Sequence, residues 1–300
     1  MTNLDLDIIN SLTGGFDGTY DVACPICGPD RRQAVNRRRK VLRVWVVEGF
    51  TTYNCARCGA SGYVRDQTAP RPDPVKLMRM RAAAAEHECV AAAVRLKKAM
   101  WLWSRRRPDI RRTIVETYLR EARGYAGDVL PATLGYLPAT SKYEPAMIAA
   151  FGLPIEPEPG RLLIRDDAVR GIHITRLKLD GSAKADTEQT KIMIGRSVGH
   201  PIVISPPSDL HGMAITEGIE DALSVYEGTG LGVWAAGCAS RMPALAPAIP
   251  STIEAVTIYA HSDPDGQKGA RTLAQALAAD LDVYTVGVHA GERVFDHEVA

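Results

Sequence analysis

The sequence predicts a mixed α+β and α/β chain: an N-terminal cysteine ribbon, a helical linking region, an antiparallel basic region and a C-terminal α/β domain. Three observations lead there. Two Cys-x2-Cys pairs stand 27 residues apart, an Ala-rich basic stretch free of Gly and Pro covers residues 76–107, and strand and helix patterns alternate from about residue 213. At 300 residues the chain has room for about two domains, each able to bury its own core. Its 46% hydrophobic and 24% charged content is ordinary for a soluble globular protein.

The formal net charge of +1 gives no hint of nucleic-acid binding, but the charge is unevenly spread. Seven basic residues (Arg31, Arg32, Arg37, Arg38, Arg39, Lys40, Arg43) fall between positions 31 and 43 with no acid among them. The N-terminus, MTNLDLDIIN, has acids where a signal peptide would be basic. No apolar run reaches the ~20 residues of a membrane span. The expectation is a cytoplasmic protein with no membrane partner, in which thiols stay reduced and regular cysteines favour metal over disulfides.

The first division, residues 1–66, is the ribbon. Strand patterns at residues 41–47 and 50–54 flank a turn at Glu48 and Gly49. Each cysteine pair continues with Gly, as Cys24-Pro-Ile-Cys27-Gly28 and Cys55-Ala-Arg-Cys58-Gly59. Such knuckles aim backbone N–H groups at the thiolates, and Gly accepts the positive φ expected of that turn. Cys24, Cys27, Cys55 and Cys58 would then close a tetrahedron on one structural zinc ion, with no position open for catalysis. A redox Cys-x-x-Cys would need only one pair. The remaining cysteines, Cys89 and Cys238, read as small packed residues, and the scattered histidines as structural ones.

Between the knuckles, cations accompany Trp45, Phe50 and Tyr53. Cations follow phosphates while rings stack on bases, which suits single-stranded nucleic acid. For Trp45 a place in the ribbon's small core is an equal alternative. Arg37, Arg38, Arg39 and Lys40 repel one another without a counter-anion, so they and Arg43 point to nucleic acid.

Residues 67–125 form the linker and helical region. Residues 66–75 are Pro-rich and polar, a helix is expected over 76–107, Pro108 and Asp109 interrupt it, and a second helix is expected over 111–123. In the third division, residues 126–205, β-branched runs at 162–165, 171–179 and 201–205 are separated by turns such as Asp180 and Gly181, predicting an antiparallel sheet. The last division, 206–300, alternates strands (213–216, 232–235, 256–260, 283–288) with helices (219–226, 267–279), predicting a mostly parallel sheet.

Two strand ends there carry acids. Residues 213–216 run into Glu217-Gly218-Ile-Glu-Asp221, and residues 256–260 into His261-Ser-Asp263-Pro-Asp265-Gly266. The C-terminal edge of parallel strands is where α/β sheets build their sites. Carboxylates from neighbouring strands can share Mg²⁺, which suits phosphoryl transfer. Helix capping by Glu217 and a plain turn at 263–266 are the bland alternatives.

Taken together, these residues resemble the zinc-ribbon plus Toprim primases, the bacterial replicative primases and their phage and plasmid relatives. The ribbon is similar to their zinc-binding domain. The segments around residues 115–124 and 134–138 are similar to the region that precedes the Toprim domain in phage-like members. Gly171–Gly181, Lys184 and Lys191–Gly195 resemble their basic strand region, which implies that Arg176, Lys178 and Lys191 contact template or nucleotide phosphates. Glu217, Gly218 and Asp221 match the Toprim Glu-Gly-x-x-Asp motif, which implies a metal-holding or proton-transfer role for Glu217.

The family's Asp-x-Asp, with Gly three residues beyond, fits in two registers. Counting back from Gly266 makes the pair His261 and Asp263; the literal Asp-x-Asp makes it Asp263 and Asp265. The resemblance implies catalytic roles for Glu217, Asp221, Asp263 and Asp265. It places a Mg²⁺ or Mn²⁺ ion among Glu217, His261 and Asp263, where an imidazole suits Zn²⁺ or Mn²⁺ better than Mg²⁺. A third acidic motif corresponds loosely to Asp296.

The implied activity is synthesis of short RNA primers from ribonucleotides on a single-stranded DNA template. Without a Walker A motif, a helicase would be a separate replicative partner. A nucleic-acid-binding accessory factor with a weakened site, or a Toprim nuclease, are the alternatives. A type IA topoisomerase is disfavoured by chain length.

Overall fold

A computed structural model describes residues 4–29, 34–68, 73–187, 189–207 and 211–288. Arg31, Arg32, Asp296, His289 and His297 lie outside the described residues. The chain divides into two compact units, Met1–Val90 and Ala91–Ala300.

In the first unit, Asp5 caps α1 (Leu6–Thr13) by accepting the Ile8 N–H, and Gly14 ends it in the left-handed region. Four antiparallel strands follow in spatial order β1 (Gly18–Ala23), β2 (Lys40–Val47), β3 (Phe50–Cys55) and β4 (Ser61–Arg65), with the single turn α2 (Ala34–Arg37) before β2. The β2–β3 turn is the expected one: Glu48 and Gly49 both have positive φ, 47° and 77°. Alternation along β2 puts Leu42, Val44 and Val46 into a core with Ile9, Tyr53, Cys24 and Cys55, and Arg43 and Trp45 on the other face. α1, β1 and β4 are short, and their patterns are too brief to announce them in the sequence.

α3 spans Pro74–Ser104. It stops short of residue 107 because Arg107 exchanges backbone hydrogen bonds with Tyr136, at 2.8 and 2.9 Å, and leaves the helix for strand-like pairing. Cys89 is exposed on α3, not packed as expected.

The second unit begins its folded core with α4 (Ile114–Thr117), capped by Thr113, which passes into a π-helical turn at Tyr118–Ala122. The helix expected over 111–123 starts late because Arg112 has positive φ (57°) and its N–H is taken by the Glu116 carboxylate at 2.7 Å. An antiparallel sheet follows, made of β5 (Leu134–Leu137), β6 (Ala146–Phe151), β9 (Gly171–Arg176) and β10 (Lys191–Gly195) in spatial order β10-β9-β6-β5. β7 (Ile155–Glu158) and β8 (Arg161–Leu163) form a separate hairpin, so the expected strand at 162–165 lies outside that sheet.

The expected strand at 201–205 also moves. β11 (Ile202–Val203) pairs antiparallel with β13 (Gly232–Ala235), at the edge of a sheet whose other strands are parallel. That sheet runs β11-β13-β12-β14-β15, with β12 (Gly212–Thr216), β14 (Ala255–His261) and β15 (Asp282–Val288). Its two faces carry separate cores. α5 (Ile219–Thr229) packs with Ala214, Val233 and Ala235, while α6 (Pro264–Leu277) packs with Met213, Ile215, Val256 and Ile258. The chain leaves β12 toward β13 and then returns to β14 on the other side of β12. The strand order therefore reverses at β12, the switch point where open α/β sheets place a crevice.

Candidate active site and metal centre

The ribbon's four cysteines meet at one end of its sheet. Their sulfur atoms all lie within 4.8 Å of one another, with Cys24–Cys58 and Cys27–Cys55 each at 3.9 Å. A tetrahedral zinc with Zn–S bonds of about 2.3 Å has S···S edges of about 3.8 Å, so the donor set fits one zinc ion. Backbone N–H groups of Ile26 and Cys27 bond the Cys24 sulfur, and those of Arg57 and Cys58 bond Cys55. Burial pushes the Cys24 and Cys27 thiols up, a cost that a bound cation removes.

The two knuckle glycines act differently. Gly59 has φ +70°, as expected, whereas Gly28 is needed for space: a Cβ there would stand 2.5 Å from the Cys24 carbonyl oxygen and 3.0 Å from that of Arg37.

The cations expected to meet nucleic acid are dispersed. Arg37, Arg38, Arg39 and Lys40 are exposed where α2 leads into β2. Arg43 instead forms a fork with Asp21 at 2.7 and 2.9 Å and also reaches Glu88 at 3.4 Å. Trp45 is half-buried and lines an 840 Å³ groove with Arg43, Phe50 and residues 83–85 of α3, away from the ribbon core. In the second unit Arg176 lies 3.6 Å from Glu144, Lys178 is 3.2 Å from Asp186, and Lys191 is 3.7 Å from Glu220.

The acidic loops converge. β12 and β14 are parallel neighbours, so Glu217 and His261 emerge side by side at their C-terminal ends. The His261 N–H donates to Glu217 Oε1 at 3.2 Å, and His261 Nδ1 stands 3.6 Å from Glu217 Oε2. On the first turn of α5, Asp221 Oδ2 hydrogen-bonds His261 Nε2 at 3.2 Å. Burial pushes the Glu217 carboxyl up, with His261 opposing the shift, while the Asp221 hydrogen bond pushes the His261 imidazole up against burial.

Asp263 caps α6 by accepting the Gly266 N–H at 2.8 Å, and it lies near enough to raise the Glu217 carboxyl further. Gly266 packs on this site: a Cβ there would meet Glu217 Oε1 and the His261 carbonyl oxygen, each at 2.5 Å. Asp265 is exposed on the first turn of α6.

The donors are carboxylates and one imidazole, a set compatible with a divalent cation that keeps part of its water shell. Among the described residues, only the four cysteines bring three or more ligand atoms within 4.8 Å of one another, so Glu217, His261 and Asp263 are not drawn that close.

A second cluster adjoins the first: it holds Lys184 and Lys191 of the expected basic region and centres on Glu220, to which the sequence motifs assign no role. Glu220 accepts the Tyr118 hydroxyl at 2.8 Å and pairs with Lys184 at 2.8 Å, Lys191 at 3.7 Å and Arg123 at 3.9 Å. Its one signal in the sequence was its place inside Glu-Gly-Ile-Glu-Asp.

A family match agrees with the parallel sheet described above. Residues 212–296 match the Toprim domain family, and residues 93–204 match a domain of unknown function, DUF7146. No curated protein matches the chain. Among solved structures the chain is similar to a DNA primase domain from Pseudomonas aeruginosa, at 10% identity, covering 66% of this chain and 71% of that one with a TM-score of 0.41. It is also similar to the zinc-binding and RNA polymerase domains of the Aquifex aeolicus primase, at 15% identity, covering 96% and 78% with a TM-score of 0.41. The chain joins a four-cysteine ribbon to a Toprim domain, in the order expected from its motifs.

Proposed function

We propose that this protein makes short RNA primers on single-stranded DNA by metal-dependent nucleotidyl transfer. The observation that carries the reading is the contact of Glu217, Asp221 and His261 at the strand switch of a Toprim domain, beside a cationic cluster.

Glu217, His261 and Asp263 would hold a Mg²⁺ or Mn²⁺ ion, which when bound supplies positive charge to the reacting phosphates. Glu217 Oε1 already accepts the His261 N–H, so Oε2, 3.6 Å from His261 Nδ1, is the oxygen that would meet the ion or substrate. In the reaction a primer 3′-hydroxyl oxygen attacks the α-phosphorus of a ribonucleotide, pyrophosphate leaves, and the hydroxyl proton passes to a carboxylate. Glu217 suits that role because burial has raised its basicity. Lys191 and its neighbours face the phosphates, and Arg176 and Lys178 lie farther along the same basic region. Arg37, Arg38, Arg39 and Lys40 of the ribbon hold the template, and unwinding falls to a separate helicase.

The test is de novo synthesis from ribonucleotides on single-stranded DNA with Mg²⁺ or Mn²⁺. Wild type should yield short RNA, and Glu217→Gln should lower the rate by at least about a hundredfold. Full activity in Glu217→Gln rejects this site.

His261 in place of a first acid favours a second reading, an accessory factor that binds nucleic acid without catalysis. Single-stranded DNA binding by wild type with no product under either metal would support it. Cleavage of labelled DNA without nucleotides would point instead to a nuclease.

A further inference from the structure

Glu220 is buried, its side chain only 9% exposed, yet it is held as a carboxylate. Burial alone would raise its carboxyl; Lys191 and Lys184 hold it well below the usual range. Its partners come from three segments. Tyr118 and Arg123 belong to the π-helical turn and the residue after it, Lys184 to the loop beyond the Asp180–Gly181 turn, and Lys191 opens β10. Gly181 fixes that loop closely on α4, where a Cβ would meet the Ile114 carbonyl oxygen at 2.8 Å.

Charge and access point the same way. Three cations share one carboxylate, an excess of two positive charges (three minus one). Lys184, Lys191 and Arg123 keep 29%, 41% and 35% of their side chains exposed, so the carboxylate lies beneath while the cations reach solvent. Such an excess repels itself unless an anion completes it. Long lysine stems lose rotamer freedom when fixed, and a buried carboxylate pinned by a tyrosine hydroxyl supplies the anchor that holds them.

We propose that Glu220 is a positioning residue that gathers Lys184, Lys191 and Arg123 into a cradle shaped for a polyphosphate chain, beside Glu217 and Asp221. The inference rests on the nucleotidyl-transfer reading for its setting. It assigns the cradle to the triphosphate of a nucleotide and not to the template backbone. Glu220 touches no substrate; it acts through the cations it holds.

The experiment titrates the full zinc-loaded chain with inorganic tripolyphosphate and with inorganic phosphate by calorimetry, without added Mg²⁺ or Mn²⁺. Removing one negative charge strengthens the attraction for tripolyphosphate more than for phosphate, so a fall in the ratio of the two affinities runs against charge and reports geometry. Glu220→Gln should cut the preference for tripolyphosphate about tenfold, and Glu220→Asp should restore part of it. Tyr118→Phe, which removes only the hydroxyl that pins Oε1, should shift the ratio the same way and carries the test if Glu220→Gln does not fold.

An unchanged ratio in folded Glu220→Gln, or in Tyr118→Phe if the former does not fold, overturns the proposal. So does failure of wild type to bind tripolyphosphate. If oligo-dT binding depends on Glu220 while tripolyphosphate binding does not, the cradle belongs to the template and the polyphosphate assignment falls. A Glu220-dependent ratio in a chain that makes no primers supports the cradle and sinks only primer synthesis.

Discussion

His173 lies on β9 among apolar neighbours, edge-on to Phe151, with Thr175 as its hydrogen-bonding partner at 3.4 Å. Burial, joined by Lys191 and Lys184, lowers its pKa to about 4 from an ordinary 6.5. Its neutral form is therefore built into the fold. Above the unfolded value this contribution is complete. As pH falls from 6.5 toward 4, the unfolded chain takes up a proton that the folded one refuses, and stability declines by about 3 kcal/mol. Urea unfolding of wild type and His173→Gln at about pH 7 and about pH 5 should show a shallower loss in the variant. An equal loss in both would mean that the ring accepts its proton while folded. At this scale the sequence was partly legible. Glu217, Asp221 and Asp263 stand at motif spacing, so local pattern names them as candidates. The partners that single out Glu220 are distant in sequence, Tyr118 by 102 residues, and no short window of sequence contains them.

Among the elements, strands were readable either by alternation, as in β2, or as apolar runs that alternate with helix patterns, as in β12 and β13. β2 alternates because one face meets the ribbon core and the other does not, and it lies within one residue of its expected start. β6, whose six residues are all buried, has neither alternation nor a flanking helix pattern to mark it and was missed. The knuckles were readable as spacing but not as geometry, since only coordinates separate a glycine needed for φ from one needed for space. That difference can be measured. Gly28→Ala forces a Cβ against two carbonyl oxygens and should release zinc more readily in chelator competition. Gly59→Ala meets nothing within 4 Å; it should keep zinc and lose about 1 kcal/mol to left-handed strain. Equal zinc retention in both variants would refute the distinction.

Over the whole molecule, the expected order of parts is present: a four-cysteine ribbon, a helical region, an antiparallel sheet and a mostly parallel Toprim sheet. What the sequence did not reveal is that the two sheets of the second unit share one core. Leu134, Met147 and Phe151 from the antiparallel sheet pack in the same cluster as Ala214, Val233 and Ala235 from the parallel one. Such contacts join residues far apart in the chain, and composition carries no trace of them.

β11 is the seam between these sheets. Beside it, the Gly152 N–H donates to the Pro201 carbonyl at 2.9 Å, and the Ile204 N–H donates to Val233 at 2.9 Å. A fragment cut at residue 206 would leave β13 as a bare edge and take Ile202 and Ile204 out of the core. It should aggregate on size exclusion, whereas a fragment from residue 91 should stay monodisperse and melt in one transition; a well-behaved shorter fragment would contradict this. The seam also limits how such proteins can be recombined. A Toprim half exchanged between relatives must travel with the short strand that precedes it, because the unit of inheritance here is larger than the unit of chemistry.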